Sequence, residues 1–178
     1  MRQRKMFVIA DLHFGHANVM KYSPSRMKFI GADETTPEPE VIFENELIAQ
    51  WNSVVLPQDI VYVLGDFTLS RNKLYIGSLL ERLNGAKVLV RGNHDTLKTS
   101  DYINLGFETV VNGALMLRNH KIFFSHEPMP HEVIPEGWFN FFGHVHEITD
   151  FNWERGMCVS VEQINFTPYC IEKFLSRY

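Results

Sequence analysis

Five short apolar runs in this chain each stop at a residue that can bind a metal or move a proton. Phe7-Val8-Ile9-Ala10 runs into Asp11 and His13, and Ile60-Val61-Tyr62-Val63-Leu64-Gly65 into Asp66. Lys87-Val88-Leu89-Val90-Arg91-Gly92 runs into Asn93, His94 and Asp95. Lys121-Ile122-Phe123-Phe124-Ser125 ends at His126, and Phe139-Asn140-Phe141-Phe142-Gly143 at His144 and His146. In sheets built with helical crossovers, ligands gather beyond the carboxyl ends of the strands. Five such ends bearing only Asp, Asn and His describe one converging site, most simply a metal centre.

The segments between the runs set the fold class. Pro39 and the acidic residues near it open a helix, with Val41, Ile48, Trp51 and Val55 on one face and Leu47 and Val54 beside them. Residues 72–83 return to helical spacing through Ile76, Leu79, Leu80 and Leu83, with Asn84-Gly85 as a C-cap pair. Strand, helix, strand, helix, strand implies parallel neighbours joined by right-handed crossovers. Beyond Thr109 the strands have short connections, with a hairpin turn expected at Arg118-Asn119-His120-Lys121 and strands at 114–117, 122–124, 139–142 and 157–161. Residues 169–178 are expected to close the chain with a short helix. Residues 23–40, with Pro24, Gly31, Pro37 and Pro39, are expected to form a surface loop overhanging the site.

With 178 residues, 45% of them hydrophobic, the chain suits a single α/β domain over 1–178 with two sheets packed together. A net charge of -4 lacks the basic footprint of a dedicated nucleic-acid binder, so no stable nucleic-acid binding is expected. Cys158 and Cys170 show no metal-binding or disulfide spacing and fit a reduced, cytoplasmic protein. The basic start resembles a signal-peptide n-region, but Asp11 stops the apolar run after it, which reads as a first strand. No stretch approaches the roughly 20 apolar residues of a membrane span.

Asp11 and His13 stand two apart, as do His144 and His146. On extended backbone that spacing points both side chains of a pair to one side. Gly92-Asn93-His94-Asp95 combines a sharp-turning Gly, a carbonyl ligand and a His free for proton transfer; alone it also reads as an Asx turn. Oxygen and imidazole donors without thiolate suit manganese, iron, zinc, cobalt or nickel.

The series Asp11-x-His13, Gly65-Asp66, Gly92-Asn93-His94-Asp95, His126 and Gly143-His144-x-His146 resembles the calcineurin-like metallophosphoesterase superfamily. Asp11-Leu12-His13-Phe14-Gly15-His16 and Val159-Ser160-Val161-Glu162 are similar to its small, stand-alone bacterial and phage-type branch. The resemblance implies a four-layer α-β-β-α sandwich of two packed mixed sheets. It also implies two divalent metal ions, manganese foremost, bridged by Asp66. Asp11, His13 and His146 would complete one ion's ligands, and Asn93, His126 and His144 the other's. Two such ions, less two carboxylates and a bridging hydroxide, leave about one positive charge to attract a phosphate ester. The hydroxide would attack phosphorus while His94, by resemblance, protonates the leaving alkoxide.

Protein phosphatases of the superfamily carry an Asp after this Gly-Asp pair that partners the His. Here Phe67-Thr68-Leu69-Ser70 follows Asp66. The expected reaction is therefore hydrolysis of a small phosphate ester or nucleotide, phosphodiesters favoured. A phosphomonoesterase, a nuclease and a non-catalytic interaction scaffold are the alternatives. His16, Asn18, Arg91 and His131 are candidate substrate contacts; the plain reading of His16 is a helix-starting surface residue, and that of Arg91 a mid-strand Arg paired to an acidic residue.

Overall fold

In the computed structural model, which describes residues 2–148 and 154–176, successive residues of strand β1 (Met6–Ile9) face two different apolar cores. Phe7 and Ile9 join one cluster; Val8, followed by Ala10, joins the other. A strand buried on both faces reads as a continuous apolar run. The same holds for β2 (Ile60–Val63) and β3 (Ala86–Val90).

Between and after them lie α1 (Val19–Tyr22), α2 (Pro24–Phe29), α3 (Pro39–Val54), α4 (Lys73–Arg82), α5 (Thr99–Leu105) and β4 (Thr109–Val111). Strands β1 to β4 are mutually parallel, as strand–helix alternation requires. The second half adds β5 (Leu115–Leu117), β6 (Ile122–Phe124), β7 (Phe139–Phe142), β8 (Gly156–Cys158), β9 (Tyr169–Cys170) and α6 (Ile171–Leu175). The first sheet has the order β4-β3-β2-β1-β9, with β9 antiparallel at its edge; the second has the order β5-β6-β7-β8. β5 and β6 are antiparallel across a 3-10 turn at Arg118–His120, where the hairpin was expected, and β6, β7 and β8 are parallel.

Both sheets are therefore mixed, and they pack face to face. Val8, Tyr62 and Val90 of the first, with Leu64 just beyond β2, share a cluster with Phe124 and Phe141 of the second, Val159 just beyond β8, and Ile171 and Phe174 of α6. The opposite face of the first sheet is covered by Phe43, Leu47 and Trp51 of α3, Ile76 and Leu79 of α4, and Tyr102 of α5. Trp51 is fully buried, and its indole N–H donates to Asn84 O at 2.9 Å, so the large ring leaves no unpaired polar atom. Over the outer face of the second sheet, Phe123 packs on Trp138 and Met129 N donates to Asn140 Oδ1. A short 3-10 turn at His131–Val133 makes this fourth layer thin. No helix among the described residues is long and apolar enough to cross a membrane.

Several local expectations change. Residues 23–40 are not merely a loop: Pro24 opens α2, and Arg26 within it is fully buried. On α3, Val41 is exposed and Phe43 takes its place, because the buried face follows the i, i+4 series 43, 47 and 51. Helix α4 ends at Arg82 with Leu83, not Asn84-Gly85, as its C-cap, and Leu80 O and Leu83 O accept from buried Lys87 Nζ. Strand β8 stops at Cys158; residues 159–161 then cross between the sheets, with Val159 N on Phe142 O and Val161 N on Ala10 O. The closing helix ends at Leu175, and residues 177–178 of that expectation lie outside the described residues.

Candidate metal centre

Where β1, β2 and β7 end, the chain turns through left-handed backbone. Asp11 (φ 58°), His13 (φ 49°), Asp66 (φ 54°), His144 (φ 72°) and His146 (φ 49°) all have positive φ. Non-glycine residues visit this region seldom, and Asp and His are among those that tolerate it. Such strain persists where surrounding structure over-determines it, commonly at functional sites. The Asp11/His13 and His144/His146 pairs thus converge through tight turns and not, as extended spacing suggested, through strand alternation.

Glycine makes room for the convergence, most tightly after β2 and β3. Gly65 has φ 88°, and a Cβ there would strike the His126 ring and the backbone of Gly92. A Cβ on Gly92 would strike Asp66 Oδ1. The turns after β2 and β3 can approach this closely only as glycines.

Asp66 lies at the centre, fully shielded from solvent, with its two oxygens facing opposite ways. Oδ2 is 3.6 Å from His13 Nε2, and Oδ1 is 3.6 Å from His126 Nε2. His13 Nε2 lies 3.3 Å from His146 Nε2. His126 Nε2 lies 2.8 Å from Asn93 Oδ1 and 3.2 Å from His144 Nδ1. Asp11, His13 and His146 can converge on one ion, and Asp11, Asp66 and His126 also cluster.

The tautomers show what these contacts are suited to. His126 Nδ1 sits 2.9 Å from Leu64 O; a carbonyl only accepts, so Nδ1 carries a proton, and Nε2 is the ring nitrogen turned inward, toward Asn93 Oδ1 and His144 Nδ1. His146 Nδ1 sits 3.2 Å from the Glu162 carboxylate, which turns its Nε2 inward too. His13 Nε2 and His146 Nε2 face one another at 3.3 Å. Two nitrogens about 2.1 Å from one ion fall at about this separation. Asp11 Oδ1 and His13 Nδ1 are buried without a hydrogen-bond partner. The residues fit divalent-metal binding.

Electrostatics agree. Burial, reinforced by the Arg26 charge, holds the His13 ring down to about 2, so it is neutral and can ligate. Burial raises the Asp11 carboxyl, outweighing the Ser160 hydrogen bond and the neighbouring histidines that favour its charged form. Burial also resists ionisation of Glu162, but the His146 bond and the Arg26 charge outweigh it and hold that carboxyl near 2.

Residues whose roles the sequence did not announce hold the turns. Asp95 Oδ2 accepts from Gly92 N and Asp66 N, and Oδ1 accepts from Phe67 N. Burial pushes its carboxyl up to about 6 despite these donors. Ser160 Oγ and His144 N both donate to Asp11 Oδ2, at 2.6 and 2.8 Å. Arg26 lies 136 positions from its partner Glu162, a pairing for which the local pattern holds no signal.

His94 stands apart from the ligands: its side chain is 45% exposed, with Nε2 3.9 Å from Asp66 Oδ2. It opens on a cleft of about 300 Å³ lined also by His13, His16, His146, Tyr22 and Leu69. A larger hollow of about 610 Å³ lies across α1, with Met20, Met27, Asp33 and Glu40, away from these histidines. Of the four candidate substrate contacts, only His16 lines the cleft, its Nδ1 accepting from Val19 N at 2.9 Å. Asn18 is exposed at the start of α1, outside the cleft lining. The Arg91 guanidinium donates to the backbone carbonyls Asp95 O and Leu97 O, not to an acidic side chain, and Arg91 does not line the cleft. His131 is bound by Arg155 over the second sheet and lies outside the cleft.

A two-sheet α/β fold with an Asp, Asn and His centre at its strand ends defines a class of metal-dependent hydrolases. The calcineurin-like phosphoesterase family matches residues 4–169, and the chain belongs to that family. It is 33% identical over 179 residues to the uncharacterized protein MJ1445 of Methanocaldococcus jannaschii, covering 97% of this chain and 90% of that protein. Among solved structures it is similar to the protein of unknown function AQ665 from Aquifex aeolicus, with TM-score 0.70, 23% identity, and 99% and 100% of the two chains covered. It is also similar to the nuclease MPE of Pseudomonas putida, with TM-score 0.51 and 24% identity over 80% of this chain and 62% of that one. At these identities the structural likeness is one of fold.

Proposed function

We propose that this chain hydrolyses phosphate esters, phosphodiesters in preference to monoesters, at a centre of two divalent ions, manganese foremost. Asp11, His13 and His146 would hold one ion, and Asn93, His126 and His144 the other, with Asp66 shared. The observation that carries this reading is the opposed pair of Asp66 oxygens, each 3.6 Å from a different histidine. When bound, such ions draw in phosphoryl oxygens and make water a nucleophile near neutral pH.

His94, exposed at the cleft mouth and outside the ligand group, donates its Nε2 proton to the departing alkoxide. Neutral His13 keeps a lone pair available at the pH of the reaction, and the His126 and His146 rings turn Nε2 inward. Tyr22 and Leu69 wall the leaving-group side with apolar surface.

The diester preference is supported by charge. No Lys or Arg lines the cleft among the described residues, so a monoester dianion finds no Lys or Arg charge there to add to that of the ions. The same wall favours a small diester or nucleotide over a polynucleotide, whose backbone calls for basic side chains. The unpaired Cys158 and Cys170 support a reducing, cytoplasmic setting. After manganese loading, bis-p-nitrophenyl phosphate should turn over faster than p-nitrophenyl phosphate. Faster turnover of the monoester contradicts the preference, and turnover of neither contradicts the activity.

A further inference from the structure

The two halves of the centre are supported differently. Behind His126 stands a neutral group, the carbonyl of Leu64. Behind His146 stands a charged pair. Glu162 Oε1, 3.2 Å from His146 Nδ1, also accepts from Arg26 Nε at 2.8 Å and lies 2.6 Å from Arg26 Nη2. Arg26 and the Glu162 side chain are 0% and 2% exposed.

Arg26 spends the rest of its fork on the turn that carries the other two ligands of this half. Nη1 donates to Leu12 O at 2.9 Å and Nη2 to Asp11 O at 2.6 Å. Those carbonyls belong to the left-handed turn that aims Asp11 and His13 inward. One planar guanidinium thus fixes the Asp11–His13 turn and the carboxylate that turns His146, a task a point charge such as Lys cannot reproduce. A buried ion pair stabilises a fold only weakly once its desolvation is counted. What this one determines is the relative placement of three ligands drawn from the turn after β1 and the loop after β7.

We infer that Glu162, held by Arg26, is a positioning residue for one half of the metal centre, the half formed by Asp11, His13 and His146. The inference rests on the two-ion reading proposed above. A carboxylate that receives the second N–H of a ligating imidazole fixes its tautomer and raises its basicity, and losing such a partner typically weakens metal binding about 10–100-fold. Because the pair touches one half only, the effect falls on one ion.

The test is calorimetric titration of the metal-free protein with Mn²⁺. The wild type should show two binding steps. Glu162→Gln, which keeps the shape but removes the charge, should weaken one step about 10–100-fold and leave the other unchanged. Arg26→Lys, with Glu162 intact, should weaken the same step and serves where Glu162→Gln does not fold. Equal weakening of both steps marks a general structural role and overturns the inference, as does no change in either. A wild type that takes up fewer than two ions overturns the two-ion reading itself, a failure recognisable before any variant is made.

Discussion

The carboxylate of Asp95 accepts the backbone N–H of Asp66 at 2.9 Å, so the turn after β3 holds the turn after β2 in shape. The same carboxylate takes Gly92 N and Phe67 N. Asp95→Asn replaces one accepting oxygen with an NH₂ that faces an N–H donor and leaves a buried donor unpaired. Stability in urea should fall by about 1–3 kcal/mol. An unchanged unfolding midpoint would show that the three bonds do not govern this turn.

His94 is half-exposed and lies outside both ligand groups. His94→Ala should therefore take up two equivalents of Mn²⁺ like the wild type while turnover falls about 10²–10⁴-fold. Elemental analysis beside the rate assay separates the roles. Loss of a metal equivalent in this variant makes His94 a ligand and removes it as the acid.

Arg91 adjoins the site in sequence, but its guanidinium is held by Asp95 O and Leu97 O and lies over the Tyr102 ring. Arg91→Ala should cost about 1.5–3 kcal/mol of stability, since charged hydrogen bonds are lost. KM for the phosphate ester should stay unchanged. A large rise in KM with stability intact would restore Arg91 as a substrate contact.

The strands and the chemistry of the site were legible because both rest on local pattern. Buried strands demand continuous apolar residues, and the donors follow them directly in sequence. What was not legible depends on distant pairs. Nothing near Arg26 announces Glu162, and nothing in Asp11-x-His13 announces that its backbone is left-handed and not extended. Helix α2 was hidden within a Pro- and Gly-containing segment, and its position is fixed by contacts with residues 11, 12 and 162. Asn18, Arg91 and His131 looked like substrate contacts because they neighbour the motifs along the chain. Neighbours in sequence diverge once a turn ends, and Arg91 and His131 found partners elsewhere.

Burial pushes the Cys158 thiol up to about 11. A thiol raised in this way forms thiolate only as pH climbs toward that value, so reactivity should still be rising at pH 9, where an ordinary cysteine is already levelling off. Iodoacetamide labelling followed by mass spectrometry should find Cys158 at least tenfold slower in the native protein than in urea. Equal rates would show that the thiol is free to react.

The central claim is that Asp66 serves two ions at once. Anomalous scattering from crystals soaked in Mn²⁺ tests it directly. The account predicts two peaks roughly 3.5–4 Å apart, one beside Asp11, His13 and His146, the other beside Asn93, His126 and His144, with Asp66 between them. A single peak, or two peaks that do not share Asp66, would contradict it.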